Sequence, residues 1–205
     1  AAVQSELLIV SPYFVPGEEG VRLFKDLRKR DVRVRILTNS LESTDHVLAH
    51  AGYTHYRLSL LEDGVELYEV RPVLGQPKGS GETLSTTSSG RFALHAKAFV
   101  FDRRKLFIGS MNFDRRSFQI NTEIGLIIDS PELARQVAAR FESIAQPANS
   151  YVLTLRPAAA GTAPRLLWRT EEKGRVLEFD REPSRSAGQR VKLQLLRLLP
   201  LDGEL

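Results

Sequence analysis

Leu94-His95-Ala96-Lys97-Ala98-Phe99-Val100-Phe101-Asp102 sets the reading of this chain. From Leu94 to Phe101 it is apolar, aromatic and nearly free of breakers, which predicts a strand. Successive strand side chains point to opposite faces, so His95 and Lys97 share one. An imidazole serves as nucleophile or general acid/base near neutral pH, and an ammonium beside it is a point charge suited to a phosphate oxygen. Asp102 has the opposite parity and opens Asp102-Arg103-Arg104-Lys105, a polar break that reads as a hairpin turn. Spacing alone makes Asp102 a turn or support residue.

Leu106-Phe107-Ile108 follows and ends at Gly109-Ser110. A glycine lets the backbone come close to a ligand. The Ser110 hydroxyl and the Asn112 amide are both donors for phosphoryl oxygens. A third strand, expected over 120–128, puts Asn121 and Glu123 on one face. Glu123 there is a candidate to hydrogen-bond an imidazole and fix its tautomer. A lone His or Lys on a strand is usually packed or solvated. The ordered set His-x-Lys-x4-Asp, Gly-Ser-x-Asn and Asn-x-Glu is far more specific and points to attack on a phosphodiester.

His95, Lys97 and Asp102 resemble the HKD motif of the phospholipase D superfamily, with Gly109, Ser110, Asn112 and Glu123 where that family has its accompanying residues. Ser11-Pro12-Tyr13-Phe14-Val15-Pro16, Leu37-Thr38-Asn39-Ser40-Leu41 with Thr44-Asp45, His50-Ala51-Gly52-Tyr53 and Leu198-Leu199-Pro200-Leu201 resemble the second half of C-type bacterial cardiolipin synthases. The likeness spans nearly the whole chain. It implies an α/β fold, a phospholipase D-like half-domain with a mixed sheet flanked by helices. It implies His-based phosphodiester chemistry without metal or cofactor, with His95, Lys97, Asp102 and Glu123 catalytic. Gly109, Ser110, Asn112 and Asn121 would bind substrate, and Tyr13, Asn39, His50 and Tyr53 are further pocket candidates. In the family two HKD motifs face each other, one His attacking phosphorus and the other protonating the leaving alcohol. This chain has one such motif. The second would come from an N-terminal half or from a homodimer mate; His95 is the general acid in the first arrangement and takes either role in the second. The implied substrate is an anionic glycerophospholipid, with peripheral attachment at the cytoplasmic side of the bacterial inner membrane. A homodimeric HKD endonuclease and a non-catalytic half-domain that assembles with a catalytic partner are the alternatives.

The composition fits these readings without choosing among them. In 205 residues, 42% hydrophobic and 26% charged, the formal charge is +4. That attracts nucleic acid and anionic lipid alike. No dense basic patch is interleaved with aromatics, which weighs against nucleic acid. The absence of cysteine removes disulfides, thiolate metal sites and a cysteine nucleophile. The start at Ala1-Ala2, without Met and inside what reads as scaffold, is expected of a piece of a longer protein.

Upstream, the run 6–10 reads as a buried strand, 18–30 as a helix with acids first and bases last, and 32–37 as a second strand. That is a βαβ unit with a right-handed crossover. Asn39 to Asp45 is a polar loop, with Asp45 the expected cap of a helix over 47–62, and 65–70 is a further strand. His46, His50 and His55 on or near that helix are a weak metal pattern. Residues 71–90 read as a long Gly/Pro/Ser/Thr loop, either lid or surface insertion. Ser130-Pro131-Glu132 opens a helix to about residue 144 with a stripe of Leu133, Val137, Phe141 and Ile144. The domain is expected to end at 147. Beyond it, 148–205 form a small antiparallel appendage with strands near 151–155, 166–170 and 176–179, and an amphipathic tail helix over 189–200. Arg190, Gln194 and Arg197 lie on one helical face, and Val191, Leu195, Leu198 and Leu199 on the other. That helix either packs on the domain or lies on a membrane surface.

Overall fold

The computed structural model describes residues 2–74, 92–157 and 163–199. One nine-stranded sheet runs through all three segments. Its strands are β1 (Glu6–Val10), β2 (Arg33–Asn39), β3 (Glu66–Val70), β4 (Ala98–Phe101), β5 (Lys105–Gly109), β6 (Gly125–Asp129), β7 (Ser150–Arg156), β8 (Arg165–Glu172) and β9 (Arg175–Phe179). The helices are α1 (Gly17–Lys29), α2 (Val47–Thr54), α3 (Arg57–Glu62), α4 (Arg115–Gln119), α5 (Pro131–Ile144) and α6 (Ala187–Leu196). The strand order is β6-β5-β4-β1-β2-β3-β7-β8-β9. β1, β2 and β3 are parallel neighbours joined by helical crossovers, and every other pairing is antiparallel.

The central strand explains the layering. β1 is buried along its whole length, as a strand covered on both faces must be. Leu7 and Ile9 enter a core shared with Phe24, Leu27, Tyr53 and Leu60 of α1–α3. Leu8 and Val10 enter a second core with Ala134, Ala138 and Phe141 of α5. The α5 start is as expected: Ser130 Oγ accepts from the Leu133 N–H (3.3 Å), with Pro131 in the first turn. Its buried face is rotated from the expected stripe. Ala134 and Ala138 replace Leu133, which is 42% exposed, so the helix backbone lies close on the sheet.

Several local expectations are corrected. The helix expected over 47–62 is two helices, α2 and α3, broken at His55-Tyr56, and the break turns Arg57 into the core. Asp45 is not the cap of α2. His46 is, its Nδ1 accepting from the Ala49 N–H at 3.4 Å, while Asp45 accepts from the Tyr13 hydroxyl at 2.9 Å. The strand expected from Leu94 is laddered only from Ala98, since the Asn39 side chain pairs with Leu94, and that expected from Ile120 only from Gly125, since the Ile120 and Asn121 N–H groups close α4 on the Arg116 carbonyl (2.9 and 2.8 Å). The C-terminal strands are found where expected but extend the same sheet through the β3–β7 pairing. Most of the 71–90 loop, and Pro200-Leu201 of the closing motif, lie outside the described residues.

The C-terminal strands and helix are also tied in by buried charge. Arg57, 2% exposed, donates to Glu69 Oε1 (2.9 Å) and to both oxygens of Glu182 (2.7 and 2.8 Å). Trp168 Nε1 donates to the other Glu69 oxygen at 2.9 Å. A buried pair with its remaining lone pairs satisfied is costly to break. The tail helix packs through Leu193, 1% exposed, and Gln189 donates to the Leu41 carbonyl at 2.6 Å. Its expected apolar face is left outward: Val191, Leu195 and Leu198 are 59%, 62% and 81% exposed.

Candidate active site

The residues before β4 are held by a side chain standing in for a strand. Asn39, 1% exposed at the C-terminal end of β2, accepts from the Leu94 N–H (2.8 Å) and donates to the Leu94 carbonyl (3.0 Å). Ser43 Oγ is 3.2 Å from the same Asn39 oxygen. The Asn39 amide is thus taken up by the chain. It fixes the backbone beside His95 instead of facing a ligand.

Beyond that clamp His95 is exposed and Lys97 half-buried. Lys97 Nζ donates to the His95 carbonyl at 3.0 Å and lies 6.0 Å from the centre of the Tyr13 ring. Burial lowers the Lys97 pKa, and Glu123, Asp45 and Asp114 nearby oppose this without cancelling it. Tyr13 donates to Asp45, and burial followed by that carboxylate pushes its hydroxyl up to about 12. Tyr13 is therefore a neutral donor across the neutral range.

The far wall comes from the β5–β6 connection. Ser110 Oγ accepts from the Ile124 N–H (3.0 Å) and donates to Glu123 Oε2 (2.5 Å). Asn121 Nδ2 donates to the other Glu123 oxygen at 3.3 Å. The Ser110 bond, with Asn121 and the Lys97 charge, lowers the Glu123 pKa. Glu123 is thus bonded to Ser110 and Asn121, not placed on an imidazole as the spacing suggested. Among the described residues Asn112 Oδ1 is buried without a hydrogen-bond partner, and the Asn112 N–H is held by Ser117 Oγ at 3.2 Å. Gly109 is required by packing: a Cβ there would come within 2.5 Å of the Ile124 carbonyl oxygen and 2.8 Å of Gly125 Cα. His95, Lys97, Gly109 and Ser110 line one open cavity of about 550 Å³.

Three expected site residues lie elsewhere. Asp102 sits at the opposite end of β4 from His95. Its carboxylate accepts from the N–H groups of Gln4 (3.0 Å), Ser5 (2.7 Å) and Glu6 (3.0 Å) and from the Ser5 hydroxyl (2.9 Å). Burial raises its pKa, but those four donors outweigh it and the net shift is down. It ties the start of β1 to the β4–β5 turn, the support role its spacing suggested. His50 and Tyr53 are buried on α2. His50 Nε2 is 2.6 Å from Glu182 Oε1, and Tyr53 packs edge-on to Phe14. The three helix histidines do not converge. His46 caps α2, His50 meets Glu182, and the His50–Glu69–Glu182 group already surrounds the Arg57 guanidinium.

Two supporting residues escaped the sequence reading. Ser11, fully buried, accepts from the Phe113 N–H (3.0 Å) and donates to the Tyr13 carbonyl (2.7 Å), joining the Tyr13 turn to the Asn112 loop. Gly125 lies under Phe107, whose ring would be 2.2 Å from a Cβ there. A glycine inside an apolar strand was the available signal.

The family described as "Cardiolipin synthase, PLD-like domain" matches residues 1–145. Cardiolipin synthase C of Escherichia coli (strain K12) is 38% identical over 194 residues, which cover 95% of this chain and 40% of that protein. The chain thus spans well under half the length of that relative. In fold it is similar to the phospholipase D family member Nuc from Salmonella typhimurium (TM-score 0.51, 15% identity, 69% of this chain and 78% of that one). It is likewise similar to phosphatidylserine synthase from Haemophilus influenzae Rd KW20 (TM-score 0.52, 20% identity, 74% of this chain and 34% of that one).

Proposed function

The chain belongs to the cardiolipin synthase, PLD-like domain family, and on that premise we propose that it supplies one HKD half-site of a phosphatidyl-transferring phosphodiesterase acting on anionic glycerophospholipids. The observation that carries the reading is the meeting of two segments at Glu123: it holds Ser110 and Asn121 and feels the charge of Lys97 from the His95 segment.

The chemistry divides between two imidazoles. A neutral one attacks phosphorus and forms an N–P bond as the P–O bond to the leaving alcohol breaks. A protonated one gives its proton to that alcohol. The acceptor alcohol or water then displaces the histidine, losing its proton to the second imidazole, now a base. Lys97 offsets charge on the phosphoryl oxygens, and the Asn112 side-chain amide donates to them, while the Ser110 proton is committed to Glu123. Glu123 holds Ser110 in place and keeps negative charge opposite Lys97. Asn39 and Asp102 position the strand.

The second imidazole comes from a partner half, either a second copy of this chain or another part of a longer polypeptide. Phe118, Ile120, Ile124, Leu126 and Ile127 support a partner there. They are 50–77% exposed on α4, the edge strand β6 and the link between them, with Leu126 and Ile127 on opposite faces of that strand. Exposed apolar side chains of this size are expected where a partner packs. Among the described residues no helix is long and apolar enough to cross a membrane. The outward face of α6, with Arg190, Lys192 and Arg197 exposed around it, suits contact with an anionic lipid surface.

The test is product analysis on phosphatidylglycerol vesicles and on plasmid DNA with one preparation. Transfer or release of the phosphatidyl group, lost in His95→Ala, is expected. Nicked DNA with untouched lipid would sink the lipid reading.

A further inference from the structure

A second pocket, of about 500 Å³, lies between α6, the start of β8 and the link that follows β9. Four arginines stand around it: Arg165 of β8, Arg181 of the link, Arg190 of α6 and Arg197 at its end. Arg190 donates to the Glu182 carbonyl at 3.4 Å, and among the described residues none of the four is in an ion pair. The carboxylates of the wall do not neutralise them. Glu182 is taken by Arg57 and His50, which leaves Asp180 alone against four guanidiniums. Arg57, 2% exposed, also lines the pocket, and its Nε is buried with no hydrogen-bond partner among the described residues. Unpaired like charges around one space repel, and an anion among them removes that cost. The site is separate from His95. In the sheet order β8 is five strands from β4, roughly 24 Å at about 4.8 Å per strand.

We infer that this pocket holds the phosphate of an anionic phospholipid headgroup and docks the chain on a lipid surface at a second, non-reacting position. Guanidinium is the cation suited to bidentate phosphate contacts. The helix that forms one wall points to lipid as the source of the phosphate. At about 100° per residue, Arg190, Gln194 and Arg197 form a stripe between Leu193, which enters the core, and Val191, Leu195 and Leu198, which face outward. Phosphate pocket and exposed hydrocarbon are therefore adjacent on one helix, as headgroup and acyl chain are adjacent at a bilayer surface. A nucleic acid lacks a stacking platform here. Trp168 of the wall is 4% exposed, bonded to Glu69 and packed by Arg57, 5.2 Å from its ring centre. The inference rests on the lipid reading above for the source of the phosphate, and adds a binding site which that reading does not use.

Vesicle flotation of the unaltered chain and two variants tests this. Arg165→Gln/Arg181→Gln removes two exposed pocket charges. Lys173→Gln/Arg175→Gln removes as many at the β8–β9 turn, at the other end of β8 from Arg165. The vesicles are neutral galactolipid carrying either phosphatidylglycerol or oleate, matched in surface charge, so that only one surface contains phosphate. The unaltered chain is expected to prefer phosphatidylglycerol. The pocket variant should bind that surface at least about tenfold more weakly and lose the preference, while the turn variant stays within about twofold of the unaltered chain. Equal binding of the unaltered chain to both surfaces, or an equal loss in both variants, overturns the inference. Glycerol phosphate identifies the source of the phosphate. It should release the protein only in large excess over vesicle phosphate, because it brings no hydrocarbon. Release at parity assigns the pocket to a soluble phosphate ester and overturns the lipid assignment, as does a pocket variant that loses single-stranded DNA and keeps phosphatidylglycerol. Lipid turnover without preference between the surfaces refutes the pocket alone, whereas cleavage of DNA and not lipid refutes the reading of the His95 site.

Discussion

Replacing Asn39 by Ala tests the link between scaffold and site. The Asn39 amide is the strand-like partner of Leu94, with bonds of 2.8 and 3.0 Å to its N–H and carbonyl. Leu94 is 5% exposed and Asn39 1%, so water cannot readily replace either bond. An unsatisfied buried polar group costs about 1–3 kcal/mol. Two of them set the loss for Asn39→Ala at about 2–6 kcal/mol, a large part of the stability of a typical domain. Activity should fall further than stability alone explains, because His95 is the next residue along the freed backbone and a misplacement of about 1 Å can cost roughly a hundredfold. Asn39→Asp keeps the acceptor for the Leu94 N–H, loses the donor and buries a charge, so it should be no better. Urea unfolding gives the first quantity. The kcat on a soluble phosphodiester, measured where each variant is fully folded, gives the second. Asn39→Ala within about 0.5 kcal/mol of the parent and within twofold in kcat would refute the positioning role.

Glu182→Ala strips Arg57 and His50 of their shared carboxylate in the core, and breaking such a pair should cost about 3–5 kcal/mol in urea unfolding. Gly125→Ala drives a methyl into the Phe107 ring. It should cost about 1–3 kcal/mol, and Phe107→Leu in the same chain should recover part of the loss in a thermal melt. Asp102 is depressed in the folded state, so it contributes stability above its unfolded value near pH 4 and loses it as pH falls. Unfolding midpoints should therefore fall more steeply from pH 5 to pH 3 in the parent than in Asp102→Asn. If Asp102 is support only, Asp102→Asn that remains folded keeps its kcat at pH 7.

Much of this was readable in the residues. The apolar run of β1, the end charges of α1, the Ser130 cap of α5 and the polar break at Asp102-Arg103 each reflect a local rule of burial, helix-end electrostatics, capping or turn geometry. Asp102 and Arg103 indeed take φ of +52°. His95, Lys97, Gly109 and Ser110 were legible as a set because short strands and a tight turn keep near neighbours together. What stayed hidden depends on distant residues. Nothing near Glu182 says that it meets Arg57, 125 positions away, or that this pairing draws His50 and Tyr53 into the core. Asn39 looked like a pocket residue because a polar side chain at a strand end resembles a ligand contact. Only Leu94, 55 residues later, reveals it as a clamp. The α6 stripe was real, and that Leu193 rather than the stripe would meet the core likewise depends on distant residues.

The central claim, that His95 carries phosphodiester chemistry, is tested most directly by a paired measurement. The protein's mass in solution and its turnover of a soluble phosphodiester are determined on one sample, beside His95→Ala at equal fold and concentration. The account predicts that turnover appears only where a partner half is present, as a second copy of the chain or the rest of a longer polypeptide, and that His95→Ala loses at least about a hundredfold in kcat with the mass unchanged. Activity in His95→Ala within threefold of the parent would contradict it.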